Sequence, residues 1–336
     1  MSWLYEPEDA RHDFDESDFR ARPNPKGNKP RTKNRPEHKN APLGFVTGVD
    51  LGRYRVLLDD RTINATLAKE LRKEGVAVGD RVALAGDTSE TVGALARIVR
   101  VEPRTTLLRR SADDTDLVER VIVANATQML IVVAAANPEP RARLIDRYLA
   151  AAYDAGLHPI LCITKTDLAD PSEFLSNFDG LELEVIETRS DAPKIAELNA
   201  LLKGEITVTV GHSGVGKSTL VNTLVPAADR ATGHVNDVTG RGRHTSSSAR
   251  AIALEDGWII DTPGVRSFGL GHVNLANLLR SFKDLYQVIQ DCPRDCSHQA
   301  DSPDCALDEA IEAKTISAAR VDSLRRLMAS SKSSAD

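Results

Sequence analysis

Eight residues past the middle of the chain, Gly211-His212-Ser213-Gly214-Val215-Gly216-Lys217-Ser218, leave little choice of architecture. They fit G-x-x-x-x-G-K-[ST], follow the β-forming run ITVTV and precede the helical run STLVNTLV, which is the strand–loop–helix setting of a phosphate-binding loop. The glycines let the backbone curl so that successive amides point at phosphate oxygens at a helix N-terminus. Lys217 is placed to neutralise the β- and γ-phosphates and the Ser218 hydroxyl to ligate magnesium, with Thr219 next in the first helical turn. Such a loop needs a parallel sheet flanked by helices.

Two further motifs sit at strand ends. Asp261-Thr262-Pro263-Gly264 ends WII: Asp261 can hold magnesium through water, and the Gly264 amide can reach a γ-phosphate. Alone, D-x-P-G is a turn signal; after a phosphate loop it reads as catalytic. Thr164-Lys165-Thr166-Asp167 ends PILCI, where a carboxylate can accept two hydrogen bonds from a guanine edge while the Lys165 stem lies along the base. Adenine lacks those donors, so the carboxylate penalises it. A helix N-cap is the plainer reading of the same four residues. In ordinary GTPases the phosphate motifs precede the guanine motif, whereas here the order is reversed. The segment after Gly264 therefore leads directly into the C-terminal part of the chain.

The remaining sequence divides around this core. Residues 1–41 form an expected disordered tail: the first nineteen carry seven Asp or Glu, and Arg20 to Asn40 carry eight Lys or Arg among four prolines. It reads as a solvated linker or as a basic arm for phosphate backbone. Residues 42–104 hold five short β-rich runs, fitting a small barrel of the OB or SH3 kind. Its only candidate base-stacking aromatics are Phe45 and Tyr54, so an RNA surface and a rigid spacer both remain open. Residues 105–270 alternate strands and helices, with Leu144, Ile145, Tyr148, Leu149 and Ala152 on one helix face. Residues 271–336 have helical spacing around Cys292, Cys296, His298 and Cys305, a candidate tetrahedral zinc set; three free thiols are the alternative. No water-activating acid adjoins them, so zinc there would be structural. Cys162, inside PILCI, reads as core.

Composition narrows the classes. Hydrophobic residues at 41% and charged residues at 27% exclude a wholly disordered chain, and a net charge of −6 argues against coating nucleic acid over the whole surface. No apolar run reaches membrane-spanning length and the acidic N-terminus is unlike a signal peptide, so the expectation is a cytoplasmic protein with no membrane partner. Nothing suggests a coiled coil, and a monomer is expected.

The order TKTD, GHSGVGKS, GRHTS, DTPG, with ANATQMLIVVAA, LIDRYLAAA, DTPGVRSFGL and the cysteine segment, resembles the circularly permuted GTPases that depend on the small ribosomal subunit, the RsgA family. The resemblance runs from about residue 42 to 330. It implies a multidomain chain: an all-β OB barrel, a circularly permuted α/β P-loop GTPase domain and a small, mostly α-helical zinc-binding C-terminal domain. It implies GTP hydrolysis to GDP and phosphate, stimulated by the small ribosomal subunit and its rRNA during late maturation and coupled to release. By position, Thr245 becomes the switch threonine for magnesium and γ-phosphate, and Thr188-Arg189-Ser190 falls at the last guanine loop. Two departures stand out. Thr164 occupies a slot that is often Asn, and the cysteine intervals are three, one and six residues where the family usually has four, one and five. Val265 follows the D-x-x-G glycine and cannot orient a water as Gln can. His244, beside Thr245, is the candidate for that task, an exposed loop histidine being the alternative. A metal-delivery GTPase and an RNA-binding module with a structural nucleotide site remain the competing classes.

Overall fold

A computed structural model describes residues 38–73, 75–89, 91, 93–111, 119–178, 181, 183–225, 249–262 and 274–332. Residues 40–336 belong to one compact unit.

Alternation of buried and outward residues, broken at the buried run Val82-Ala83-Leu84, builds the first element group. Strands β1 (Leu43–Asp50), β2 (Arg53–Leu58), β3 (Arg61–Leu67), β4 (Arg81–Gly86) and β5 (Ala96–Val101) put Val46, Tyr54, Val56, Ile63, Leu84 and Ile98 inside. The ladder runs β1–β2–β3–β5–β4 and closes because β4 also pairs with β1, giving the expected five-stranded barrel. Its exit is fastened by a fully buried carboxylate. Asp80 accepts two 2.7 Å hydrogen bonds from Arg104, whose guanidinium also reaches the Gly75 carbonyl.

A hairpin, β6 (Leu107–Ser111) with β7 (Glu119–Ala124), leads into the α/β part. There β8 (Gln128–Ala134), β9 (His158–Thr164), β10 (Glu184–Glu187), β11 (Ile206–Val210), β12 (Arg250–Ala253) and β13 (Trp258–Asp261) form a sheet in the order β10–β9–β8–β11–β13–β12. All neighbours are parallel except β12, which returns antiparallel to β13. Strand β8 is buried along its whole length, as an uninterrupted apolar run demands. Helices α3 (Ile195–Leu202) and α4 (Lys217–Leu224) cover one face of this sheet. Helix α1 (Ala142–Asp154) covers the other and shares that core with the C-terminal helices, whereas α2 (Ser172–Leu175) is a single short turn.

The C-terminal helices are α5 (Leu275–Ser281), α6 (Lys283–Val288), α7 (Ala306–Glu312) and α8 (Ala318–Lys332). Two of these helices are separated by a short break: Lys314 takes φ 56° after α7, and the Ser317 hydroxyl accepts from the Arg320 amide to start α8. Among the described residues no helix is long and apolar enough to cross a membrane.

Candidate nucleotide site and metal centre

The site lies at the carboxyl ends of the parallel strands, where open α/β sheets hold ligands. Strand β11 is flanked by β8 and β13, with Thr209 in register with Asp261. The chain then turns at Gly211, where an added Cβ would stand 2.4 Å from the Val132 carbonyl, so no side chain fits. Gly216 caps α4 with φ 92°, a left-handed value that glycine adopts without cost. Val215 is buried, while His212, Ser213, Gly214, Ser218 and Thr219 are exposed along the loop and first turn. The Nδ1 of His212 lies 3.0 Å from the Ser213 carbonyl.

Lys217 crosses from the loop to the end of β13. Its Nζ donates to Asp261 Oδ1 at 2.7 Å and to the Thr262 carbonyl at 3.2 Å. Thr262 is fixed in turn by its hydroxyl bond to Thr209 O at 2.7 Å. A phosphate-binding cation and a magnesium-type carboxylate, 44 residues apart in sequence, thus meet directly.

The guanine-side motif packs against the same loop. Thr164 is buried, and its hydroxyl is 2.5 Å from the Val215 carbonyl and 3.2 Å from Val133 O. Lys165 takes φ 58°, and its Nζ donates to Gly214 O at 2.8 Å and to Asn137 O. Asp167 is exposed and accepts the Ser190 amide at 2.9 Å; that N–H holds its carboxyl below the usual range. The Thr166 amide bonds Thr188 O at 3.4 Å. Arg189 and Asp191 form a bidentate pair beside them. The structure therefore brings the Thr188-Arg189-Ser190 loop onto Asp167. It also gives Thr164, in the slot that is often Asn, a buried hydroxyl that braces the phosphate loop. Asn137 was missed by sequence reasoning; its only signal is the Asn-Pro turn after an apolar strand. His244, Thr245 and Gly264 lie outside the described residues.

The second cluster is separate. Ligand atoms of Cys292, Cys296, His298 and Cys305 all lie within 4.8 Å of one another, and all four cysteines of the chain are unbridged. The Sγ atoms of Cys292 and Cys305 are 4.0 Å apart. Burial pushes the Cys292 thiol up to about 11. At Cys296 burial also raises the thiol, but hydrogen bonds, Ser302 Oγ foremost at 3.3 Å, bring it below its ordinary value. Burial and then Arg325 lower His298, favouring neutral imidazole, and its Nδ1 is buried without a hydrogen-bond partner. An orphaned ring nitrogen beside three converging thiols suits a metal ion. Around it, Arg325 donates to His298 O and Asp308. Cys162 is buried in β9 with its thiol pushed up to about 12, an inert core position.

A parallel sheet carrying a phosphate loop, with the guanine-side strand earlier in the chain than the phosphate-side strand, defines a circularly permuted P-loop GTPase. Residues 101–271 match the RsgA GTPase family. Over 242 residues, 69% of each chain, the sequence is 40% identical to the small ribosomal subunit biogenesis GTPase RsgA of Pseudomonas syringae pv. tomato. Over 300 residues it is 35% identical to the same-named protein of Pseudomonas fluorescens, covering 84% of this chain and 85% of that one. YjeQ from Thermotoga maritima superposes with a TM-score of 0.63 at 26% identity, covering 86% of this chain and 97% of that one. YloQ, described as a circularly permuted GTPase, has the same fold at TM-score 0.63 and 24% identity, with coverage of 89% and 98%. The chain belongs to the RsgA GTPase family and is a GTP-hydrolysing enzyme.

Proposed function

We propose that this GTPase acts in biogenesis of the small ribosomal subunit, binding the subunit and its rRNA and coupling stimulated GTP hydrolysis to late maturation and its own release. The observation that carries the reading is that the Lys217–Asp261 pair and the Asp167–Ser190 pair both lie at the carboxyl ends of the parallel strands, in a chain of this family. Residues 42–104 serve as the OB barrel, 105–270 as the GTPase domain and 271–336 as the zinc-bearing part, with 1–41 as a tail. The working form is a monomer in the cytoplasm, alternating between GTP and GDP.

Lys217 moves from Asp261 to the β- and γ-phosphates when nucleotide enters, and the amides of Gly211 to Thr219 surround them. Ser218, Asp261 and Thr245 form the magnesium set; the ion neutralises charge on the phosphates when bound. Asp167, held open by the Ser190 amide, reads the guanine edge; Thr164, Lys165 and Thr166 keep its loop against the phosphate loop. Gly264 offers its amide to the γ-phosphate. Val265 cannot hold a water, so His244 orients it, completed by the subunit. Cys292, Cys296, His298 and Cys305 hold one structural zinc, which cross-links the loop between α6 and α7.

GTP turnover measured with and without small subunits at fixed magnesium tests this. A rise on the order of a hundredfold is expected for a partner-completed site. No rise with GTP still bound tightly would overturn it. His244→Ala should depress the stimulated rate and leave GTP affinity intact; an unchanged rate would remove His244 from the mechanism.

A further inference from the structure

The Thr164 side chain has a single hydrogen to donate, and the protein itself accepts it. The residue is buried at the end of β9, in register with Ala134 of β8. Its Oγ1 stands 2.5 Å from the Val215 carbonyl of the phosphate loop and 3.2 Å from the Val133 carbonyl of β8. Both neighbours are acceptors, so the one hydroxyl hydrogen goes to them, chiefly to Val215 at the shorter distance. Only lone pairs remain on the oxygen. The main-chain carbonyl of Thr164 is committed as well, to the Ala135 amide at 2.8 Å. Gly216 lies against the same side chain, where an added Cβ would stand 3.6 Å from Oγ1.

The place of this oxygen decides which part of a purine it faces. On the guanine reading given above, Asp167 accepts from N1–H and the N2 amino group, at the end of the base farthest from the sugar. In an anti nucleotide the five-membered ring turns back toward the 5′-phosphates and hence toward the phosphate loop. Lys165 spans the interval, since its Nζ donates to the Gly214 and Asn137 carbonyls and so draws the stem toward that loop. Thr164, one residue earlier and bonded to the same loop, is the member of the guanine motif on the N7 side. N7 carries a lone pair and no hydrogen, so it needs a donor. The Thr164 hydroxyl has none left, whereas an Asn there would carry two amide hydrogens, one for Val215 and one for the base.

We propose that Thr164 leaves the nucleotide site blind to position 7 of the purine. Guanine is then selected through Asp167, which accepts the Ser190 amide at 2.9 Å, and the accepted substrates include guanine nucleotides in which N7 is replaced by C–H. Such a C–H meets an oxygen with lone pairs facing it, a weakly favourable contact, where the N–H of an Asn would oppose it. A site built to hydrogen-bond a group rejects the analogue that lacks it, and a site without the bond loses nothing. Thr164 thus sets specificity by what it withholds from the base, while its hydroxyl braces the loop beneath the phosphates. The proposal rests on the guanine reading of Asp167 and extends it to the class of substrate the site takes.

The test is competition binding and steady-state hydrolysis by the full chain with GTP, 7-deaza-GTP and ATP at fixed magnesium. One neutral hydrogen bond corresponds to roughly three- to tenfold in affinity. GTP and 7-deaza-GTP should therefore differ by less than about threefold in Kd and KM, and a larger penalty on 7-deaza-GTP overturns the proposal. Thr164→Asn should tighten GTP by roughly three- to tenfold without tightening 7-deaza-GTP; a folded variant that treats the two alike overturns it too. The melting midpoint of the variant checks that it folds, and the wild-type comparison stands without it. ATP separates this proposal from the reading beneath it. Wild-type chain that prefers GTP to ATP but penalises 7-deaza-GTP keeps the Asp167 reading and sinks the role of Thr164. Equal affinity for GTP and ATP sinks the Asp167 reading. Because adenine also carries N7, the Thr164→Asn comparison of GTP with 7-deaza-GTP then decides the role of Thr164 by itself.

Discussion

Arg326→Met isolates what fastens the C-terminal helices to the GTPase sheet. Asp146, on α1, is 1% exposed, and its carboxylate meets Arg326 of α8 at 2.9 and 3.1 Å. The same guanidinium donates to Asn177 O at 2.6 Å and stands 5.4 Å from the Phe178 ring centroid. Met keeps the aliphatic packing but leaves a buried carboxylate unpaired. Breaking a buried pair from one side costs about 3–5 kcal/mol. Arg326 is one-third exposed, so the lower figure, about 3 kcal/mol, applies. At about 2 °C per kcal/mol for a unit of this size, the melting midpoint should fall by about 6 °C. The pH dependence has a definite sign. Burial raises the Asp146 carboxyl above its ordinary value, against the opposing pull of Arg326. A carboxyl that is easier to protonate folded than unfolded loses stability as pH rises through its folded value. Removing Arg326 lifts that value further, so the deficit should be largest near pH 8 and shrink toward pH 5. Differential scanning calorimetry across that range reads both effects, and Asp146→Asn in the Arg326→Met background should restore most of the loss. A midpoint shift below about 2 °C at pH 8, or a deficit that grows on acidification, would refute the reasoning.

Three other outcomes follow from single contacts. Because Lys217 is held by Asp261 at 2.7 Å, Asp261→Asn should bind GDP roughly tenfold more tightly than wild type in chelator and less tightly with magnesium, by titration calorimetry. Weaker binding under both conditions would contradict the pairing. Asp167→Ala should cost the site its preference for GTP over ATP by about a hundredfold or more in competition binding, since the Ser190 amide would then have no carboxylate to orient. On the zinc reading proposed above, Cys305→Ser should bring the zinc content toward none and reduce the melting midpoint, whereas full zinc occupancy would show that Cys305 is not a ligand.

Much of the site was legible because its chemistry is local. A phosphate loop is a contiguous run whose glycines and lysine have fixed offsets, and the structure puts Gly211 and Gly216 in conformations that glycine alone tolerates. The alternating strands of the barrel were equally plain, as in Arg53–Leu58, which buries every second residue. The apolar face read from the sequence describes only part of what the helix Ala142–Asp154 buries. Ile145, Tyr148, Leu149 and Ala152 are inside as expected, yet Asp146, Ala150 and Ala151 are buried as well, and Leu144 is only half-buried. The reason is that α1 packs against the sheet on one side and against the C-terminal helices on the other. Periodicity describes one apolar stripe and says nothing of a second partner. Thr164 shows a similar limit: its residue type suggested a weakened base contact, and only its burial against Val215 shows it as a brace.

Legible along the chain were the fold class, the reversed order of the nucleotide motifs, the lysine and carboxylates of those motifs, and the four residues that can hold a metal. Each rests on residue types at short, fixed intervals. Tertiary structure alone decided which of them meet: Lys217 with Asp261, Asp167 with Ser190, Asp146 with Arg326, and the barrel with the GTPase sheet through Gly48 and Arg250. These partners lie 44, 23, 180 and some two hundred residues apart. Contacts at such separations are set by strand order and by which helix faces share a core, and no local pattern along the chain encodes either.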